Sequence, residues 1–238
     1  MPAYVLILQK NMDYKKDKRL FFDLGQNTDM EKQAKFYGEY IIPPQVGRDI
    51  AVDLGSNIGM FFLENHKTFK NILAIEASYW NFLTGLSNVF NRRIANVKCF
   101  NLAAAKNTGE VVKIYQNGFD SVSATTSIEM LEALGKDVDS AHYHNVFSIS
   151  LEGMFDFFGL NHVDFLKIDI EGAEYDFLLD KDLSRIASMG VEIHGTFGEE
   201  KKDQLKSHLS EYFEIYDVKY DDAAPGHSVI TYINKTMF

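Results

Sequence analysis

The sequence predicts an α/β protein built on a mostly parallel sheet, and three observations carry that prediction. From Arg48 onward, short apolar runs alternate with segments of helical period. A glycine-bearing turn joins the first apolar run to the first helix, and two closing apolar runs lie close enough to pair as a hairpin. In such a sheet, right-handed crossovers place helices on both faces and leave a ligand crevice at the carboxyl ends of the strands.

Residues 1–45 read as an N-terminal extension packed on the main domain, which occupies 46–238. Within the extension, Tyr4–Leu8 and Leu20–Leu24 suit edge strands. Asp29–Tyr40 spaces Met30, Ala34 and Tyr37 along one helical face, and Pro43–Pro44 ends the segment. In the domain, Asp49–Leu54 is the first strand and Ile58–His66 the first helix. Asn71–Glu76 is the second strand, followed by a helix over Tyr79–Asn91 with Phe82, Leu83, Leu86, Val89 and Phe90 at helical spacing. Asn96–Ala103 is the third strand, and Gly109–Tyr115 a short strand after the turn at Lys106–Thr108. Residues 117–145 are polar and rich in Ser and Thr, with a helical pattern only at Ile128–Leu134. So long a stretch in a compact domain reads as a lid or substrate loop. Leu151, Met154, Phe155 and Phe158 then share a helical face, and Phe155, Phe157, Phe158 and Phe165 are expected in the core. Val163–Asp169 is the fourth strand, Gly172–Leu179 a helix, and Val191–His194 the fifth strand. Glu199–Tyr212 is an amphipathic helix, and Glu214–Val218 and Ser228–Ile233 form the hairpin, which supplies one antiparallel edge strand.

The 238 residues suit one domain with an appendage, and 46% apolar against 24% charged residues suits an ordinary core. One cysteine, Cys99, excludes an intrachain disulfide and fits a reducing compartment. No apolar run reaches the roughly 18 residues of a membrane span, and the N-terminus reverses the order of a secretory signal. The expected setting is the cytoplasm. Lys and Arg total 24 and Asp and Glu 34, a net charge of −10, which disfavours a nucleic-acid partner. The densest basic run, Lys15, Lys16, Lys18 and Arg19, is broken by Asp17 and reads as a solvated turn. A small molecule or glycan is the better client; the oligomeric state is open.

The turn after the first strand runs Asp53–Leu54–Gly55–Ser56–Asn57–Ile58–Gly59. Gly55 and Gly59 allow a tight turn and close ligand approach, but not at the G-x-G-x-x-G spacing of dinucleotide sites. Asp53, at the strand end, would repel a pyrophosphate and welcome an ammonium or sulfonium. Glu76 follows 21 residues beyond Gly55, where an acidic strand end grips ribose hydroxyls. An adenosine ligand with a positive charge and no phosphate is S-adenosylmethionine. A near copy, Asp23–Leu24–Gly25–Gln26–Asn27, lacks the second glycine and the acidic strand end, and reads as a turn.

With these residues the sequence resembles the FkbM family of S-adenosylmethionine-dependent methyltransferases. The matching pieces are VDLGSNIGMFF (Val52–Phe62), AIEAS (Ala74–Ser78), NVKCFNLAAAKNTGEV (Asn96–Val111), VDFLKIDIEGAEYDFLL (Val163–Leu179) and VEIH (Val191–His194). The resemblance spans about 48–195 and implies a Rossmann-like class I methyltransferase fold, with seven mostly parallel strands and a C-terminal antiparallel hairpin. It implies S-adenosyl-L-methionine as cofactor, with Asp53, Gly55 and Asn57 at the methionine end, Gly59 in the same turn, and Glu76 and Ala77 at the ribose. Leu102 and Ala103 would lie near the adenine, with Asp169, Glu171 and Glu174 bordering the transfer site. The acceptor class it implies is a hydroxyl on a sugar, glycan, lipid or small metabolite.

An alcohol acceptor must lose a proton, which favours a general base or a metal. Asp169 and His194 end neighbouring strands, so both reach the crevice, and with Glu171 they form the candidate catalytic set. Asp169 is the favoured base; a histidine base would instead show a rate rising through about pH 6–7. A metal on Asp169, Glu192 and His194 is chemically open but lacks a dense ligand motif, so none is expected. Lys167, in an apolar strand, reads as a buried ion-pair partner. Three alternatives stay open: a nitrogen or nucleic-acid acceptor, a non-catalytic binding module on the same fold, and a dinucleotide oxidoreductase.

Overall fold

The structure, a computed structural model, describes residues 40–116, 142–194, 198–220 and 228–237. The readings of Tyr4–Leu8, Leu20–Leu24, Asp23–Asn27 and the Lys15–Arg19 run lie outside these residues. So do those of Asp29–Tyr40 before Tyr40, and of 117–141 with Ile128–Leu134. Tyr40 and Ile42 of the expected extension pack against Phe61, Phe69 and Phe165 on one face of the sheet.

Strands β1 (Ile50–Leu54), β2 (Asn71–Ile75) and β3 (Val97–Phe100) alternate with helices α1 (Met60–Asn65) and α2 (Tyr79–Arg92). A second part follows as β4 (Ala103–Ala104), β5 (Val111–Gln116) and β6 (His142–Ile149). The chain then runs α3 (Leu151–Phe158), β7 (Phe165–Ile168), α4 (Glu174–Leu178), β8 (Ser188–Ile193), α5 (Glu199–Tyr212), β9 (Phe213–Tyr220) and β10 (Ser228–Asn234). The main sheet has seven strands in the order β3-β2-β1-β7-β8-β10-β9. β1 pairs in parallel with both β2 and β7, and β2–β3 and β7–β8 are also parallel.

Only β10 runs against the rest, antiparallel to both β8 and β9. It lies inside the sheet, not at its edge as the hairpin reading has it. The composition explains the placement. Val229, Ile230, Thr231 and Tyr232 are all buried, the near-continuous run of a strand covered on both faces, whereas β9 leaves Ile215 and Tyr216 exposed.

β1 divides the core between the two faces. Val52 and Leu54 join α3, α4 and α5 in one cluster; Ala51 turns to α1 and α2 in the other. Two serines cap α2 and α3, Ser78 accepting from the Asn81 N–H and Ser150 from the Gly153 N–H at 3.1 Å. The face of α3 is as expected except at Phe157, which is 68% exposed because it lies off the 151-154-155-158 stripe.

The third strand is shorter than expected. Asn101 donates its side-chain amide to the Glu76 and Ala77 carbonyls at 2.8 and 2.9 Å and turns the chain. Ala103–Ala104 then pair with β6 instead, in a small sheet ordered β4-β6-β5. His142–Asn145, read as loop, begin β6, which β5 holds by antiparallel pairing from His142 to Phe147. No helix among the described residues is long and apolar enough to cross a membrane.

Candidate active site

A cleft opens at the carboxyl ends of β1, β2 and β7, where the chain from β1 crosses to one side and the chain into β7 returns on the other. Gly55 and Asn57 wall it from the β1–α1 turn, and Glu76 and Ala77 from the end of β2. Leu102, Ala103 and Ala104 form another wall, and Asp169, Ile170 and Glu171 close it from beyond β7.

Gly55 must be glycine. Its φ is 68°, and a Cβ there would stand 1.6 Å from the Asp169 carbonyl oxygen. Its N–H and that of Ser56 both donate to the Ile75 carbonyl, tying the turn to β2. Gly59 does not line the cleft. It starts α1 at φ 100°, where a Cβ would meet the Phe62 ring at 1.9 Å.

Asp53 lies beneath the turn instead of in the cleft wall, fully buried. Its oxygens accept no hydrogen bond among the described residues, although Lys167 Nζ stands 3.4 Å away. Burial lifts its carboxyl to about 6 against the pull of Lys167. Lys167 Nζ donates to the carbonyls of Gly55 at 2.6 Å and Leu54 at 3.3 Å, and lies 3.4 Å from Asp169 Oδ2. Burial opposes its charge, but Asp169, Asp53, Glu192 and Glu76 hold its ammonium above the usual lysine range. The buried ion-pair partner expected from sequence is therefore a staple joining β1 to β7.

Glu76 is 6% exposed and accepts from the Asn57 N–H at 2.8 Å through Oε2 and from the Ser78 N–H at 2.7 Å through Oε1. Burial raises its carboxyl to about 7 despite those donors.

At the far end, two side chains of the β7–α4 loop meet one that follows β8. Donor atoms of Asp169, Glu171 and His194 lie within 4.8 Å of one another, so Glu171 takes the place that sequence reasoning gave to Glu192. Glu171 sits at φ 50° and His194 is 2% exposed. His194 Nδ1 stands 2.6 Å from Oε1 of Glu174, and its Nε2 lies 3.5 Å from Oε2 of Glu171. Burial works against a charged ring, yet the Glu174 hydrogen bond and the fields of Glu174, Glu171 and Glu192 raise it to about 10. An imidazolium has no lone pair to offer, so in that charged form His194 serves neither as a general base nor as a metal ligand. Burial first, then Asp169, lift the Glu171 carboxyl to about 8, with His194 pulling it down.

Of the residues read from sequence, Gly55, Asn57, Glu76, Ala77, Leu102, Ala103, Asp169 and Glu171 line one cleft. His194 and Glu174 stand behind Glu171, and Asp53 and Gly59 behind the turn. The reading missed Asn81, Ala104, Ile114 and Ala173 of the wall, and Asn101, which shapes it. None of these carries a sequence signal of its own, because crossing chains bring them there.

The Methyltransferase FkbM domain family matches residues 53–220. The fold is similar to solved structures at low identity. The FkbM methyltransferase of Methylobacillus flagellatus KT is 16% identical, with a TM-score of 0.47, over 78% of this chain and 43% of that one. The fibrillarin pre-rRNA processing protein of Methanococcus jannaschii is 12% identical, with a TM-score of 0.48, over 87% of this chain and 74% of that one. M. capricolum TrmK, solved with S-adenosylhomocysteine, is 10% identical, with a TM-score of 0.44, over 80% of this chain and 64% of that one. The chain thus spans less than half the length of the Methylobacillus protein. No curated protein matches it.

Proposed function

The chain belongs to the FkbM methyltransferase family, and from that premise we propose that it moves the methyl group of S-adenosylmethionine to a hydroxyl on a sugar, glycan, lipid or small metabolite. One observation carries the reading. The described cleft is lined by three carboxylates, Glu76, Asp169 and Glu171, and by no lysine or arginine. Such walls repel a pyrophosphate and suit a ligand bearing a sulfonium and an ammonium. When bound, S-adenosylmethionine supplies a methyl group on a positively charged sulfur that departs as a neutral thioether.

The residues divide the work by position. Gly55 and Asn57 give the methionine end close backbone approach, and Glu76 accepts from ribose hydroxyls through lone pairs left over from its two backbone bonds. Ala77, Leu102 and Ala103 offer an apolar wall to the adenine. Asp53 acts through the turn above it and its buried pair with Lys167, not by touching ligand. Asp169 borders the sulfonium. It shares Lys167 as a partner, so its charge is kept in place where the methyl must be aligned. A hydroxyl entering beside Asp169 and Glu171 meets two carboxylates able to take its proton.

The test is transfer of label from methyl-tritiated S-adenosylmethionine to a panel of glycans, lipids, small alcohols and RNA. Base-stable label on a hydroxyl-bearing acceptor is expected. Label confined to RNA, or to nitrogen, would overturn the acceptor class.

A further inference from the structure

Resting on that methyl-transfer reading, we propose that Glu174 is a positioning residue: through His194 it holds the Glu171 carboxylate at the acceptor end of the cleft, where Glu171 takes the proton of the hydroxyl being methylated.

The three groups come from three places in the fold. Glu171 lies in the loop after β7, Glu174 opens α4, and His194 follows β8. Glu174 is fully buried, and its Oε1 meets His194 Nδ1 at 2.6 Å while also accepting from the Gly172 N–H at 3.2 Å. The Tyr175 hydroxyl donates to the His194 carbonyl at 2.8 Å and fixes the backbone that carries the ring. With Nδ1 engaged behind, Nε2 is the nitrogen turned towards Glu171, at 3.5 Å from its Oε2. An acid orients an imidazole, and the imidazole orients the group at the cleft.

The backbone points the same way. Glu171 adopts φ 50°, a conformation that a residue with a Cβ avoids, and Gly172 follows at φ 96°. That bend puts the Glu171 side chain into the cleft wall while Glu174, three residues on, stays sealed. Oε2 of Glu174 has no hydrogen-bond partner among the described residues.

The electrostatic balance follows. Facing His194 are Glu174 from α4, Glu171 from the β7–α4 loop and Glu192 from β8, while Asp169 faces Glu171. Against burial and the neighbouring carboxylates, the His194 cation draws the Glu171 carboxyl down to about 8, so the ionised form that can take a proton gains population as pH rises through that value. In the reaction the hydroxyl oxygen bonds to the methyl carbon as the methyl–sulfur bond breaks, its electron pair staying on sulfur. The O–H proton passes to the Glu171 carboxylate. One sulfonium and one carboxylate become one thioether and one carboxylic acid, so charge balances.

The experiment is a pH titration of the full-length chain labelled with ¹⁵N-histidine, with His194 assigned by its loss in His194→Gln, and repeated in Glu174→Gln. In the wild type the His194 ring should stay charged well past neutrality, towards about 10, and in Glu174→Gln it should titrate well below the wild-type value. On the acceptor found by label transfer, Glu174→Gln should lower kcat at least tenfold and displace its pH profile, leaving S-adenosylhomocysteine affinity within twofold. A wild-type His194 that titrates near 6.5 overturns the proposal without any variant, as does a Glu174→Gln protein with unchanged kcat and pH profile. Should Glu174→Gln not fold, the wild-type titration still decides. Failure of the wild type to bind S-adenosylhomocysteine would instead sink the methyl-transfer reading, and the His194 titration would be legible all the same.

Discussion

Glu76 shows how one side chain serves fold and ligand together. Its two oxygens already hold the N–H groups of Asn57 and Ser78, so it fixes the β1–α1 turn against the end of β2 before any cofactor arrives. A contact from a charged acceptor to ribose hydroxyls is worth roughly 1.5–3 kcal/mol. Glu76→Ala should therefore weaken S-adenosylhomocysteine about ten- to a hundredfold in calorimetry. Unchanged affinity in a folded variant would remove Glu76 from the site. Burial also lifts its carboxyl to about 7, so the ionised form that accepts best gains population as pH rises through that value. Affinity should accordingly climb between about pH 6 and about pH 8 in the wild type and lose that slope in Glu76→Ala. Glu76 is legible in the sequence because its distance from Gly55 along the chain is itself the signal. The Glu174–His194 contact is not. It joins a helix start to a strand end 20 residues away in sequence, and only the packing of α4 against β8 brings the two together.

At the scale of elements, the β1–α1 turn carries the tightest constraint. Gly55→Ala asks for a left-handed conformation and places a Cβ 1.6 Å from the backbone oxygen of Asp169, an atom that cannot swing aside. Strain and overpacking of that kind cost about 1–3 kcal/mol each. The variant should melt at least about 4 °C lower and bind S-adenosylhomocysteine poorly, because β7 must retreat from the turn. A variant with wild-type Tm and affinity would show that the close approach is not required. Elements with a clear period are legible in sequence: α5 occupies Glu199–Tyr212 as its pattern demands, and β1, β2 and α2 differ from expectation by a residue at an end. β6 is hidden because HYHNVFSI mixes polar and apolar residues without alternation, and its pairing with β5 supplies what its own pattern lacks. The break between β3 and β4 is hidden for a similar reason, since Asn101 reaches carbonyls that belong to β2's end.

Across the whole molecule, the strand order sets where chemistry can occur. β1 lies between β2 and β7, and the crossovers on its two sides leave in opposite directions, which opens the crevice above its carboxyl end. Lys167 crosses beneath that crevice, bonding the Leu54 and Gly55 carbonyls and facing Asp53 and Asp169, so the sheet itself sets the charge of the floor. The alternation of strands and helices makes this architecture readable from sequence. The interior place of β10 follows only from comparing its burial with that of β9. The account stands or falls on the ligand that a cleft walled, among the described residues, by Glu76, Asp169 and Glu171 accepts. Isothermal titration of the full-length protein with S-adenosylhomocysteine and, separately, with NAD tests this most directly. One equivalent of S-adenosylhomocysteine should bind, with affinity falling in Glu76→Ala, and NAD should give no heat of binding. Saturable NAD binding with no response to S-adenosylhomocysteine would contradict it.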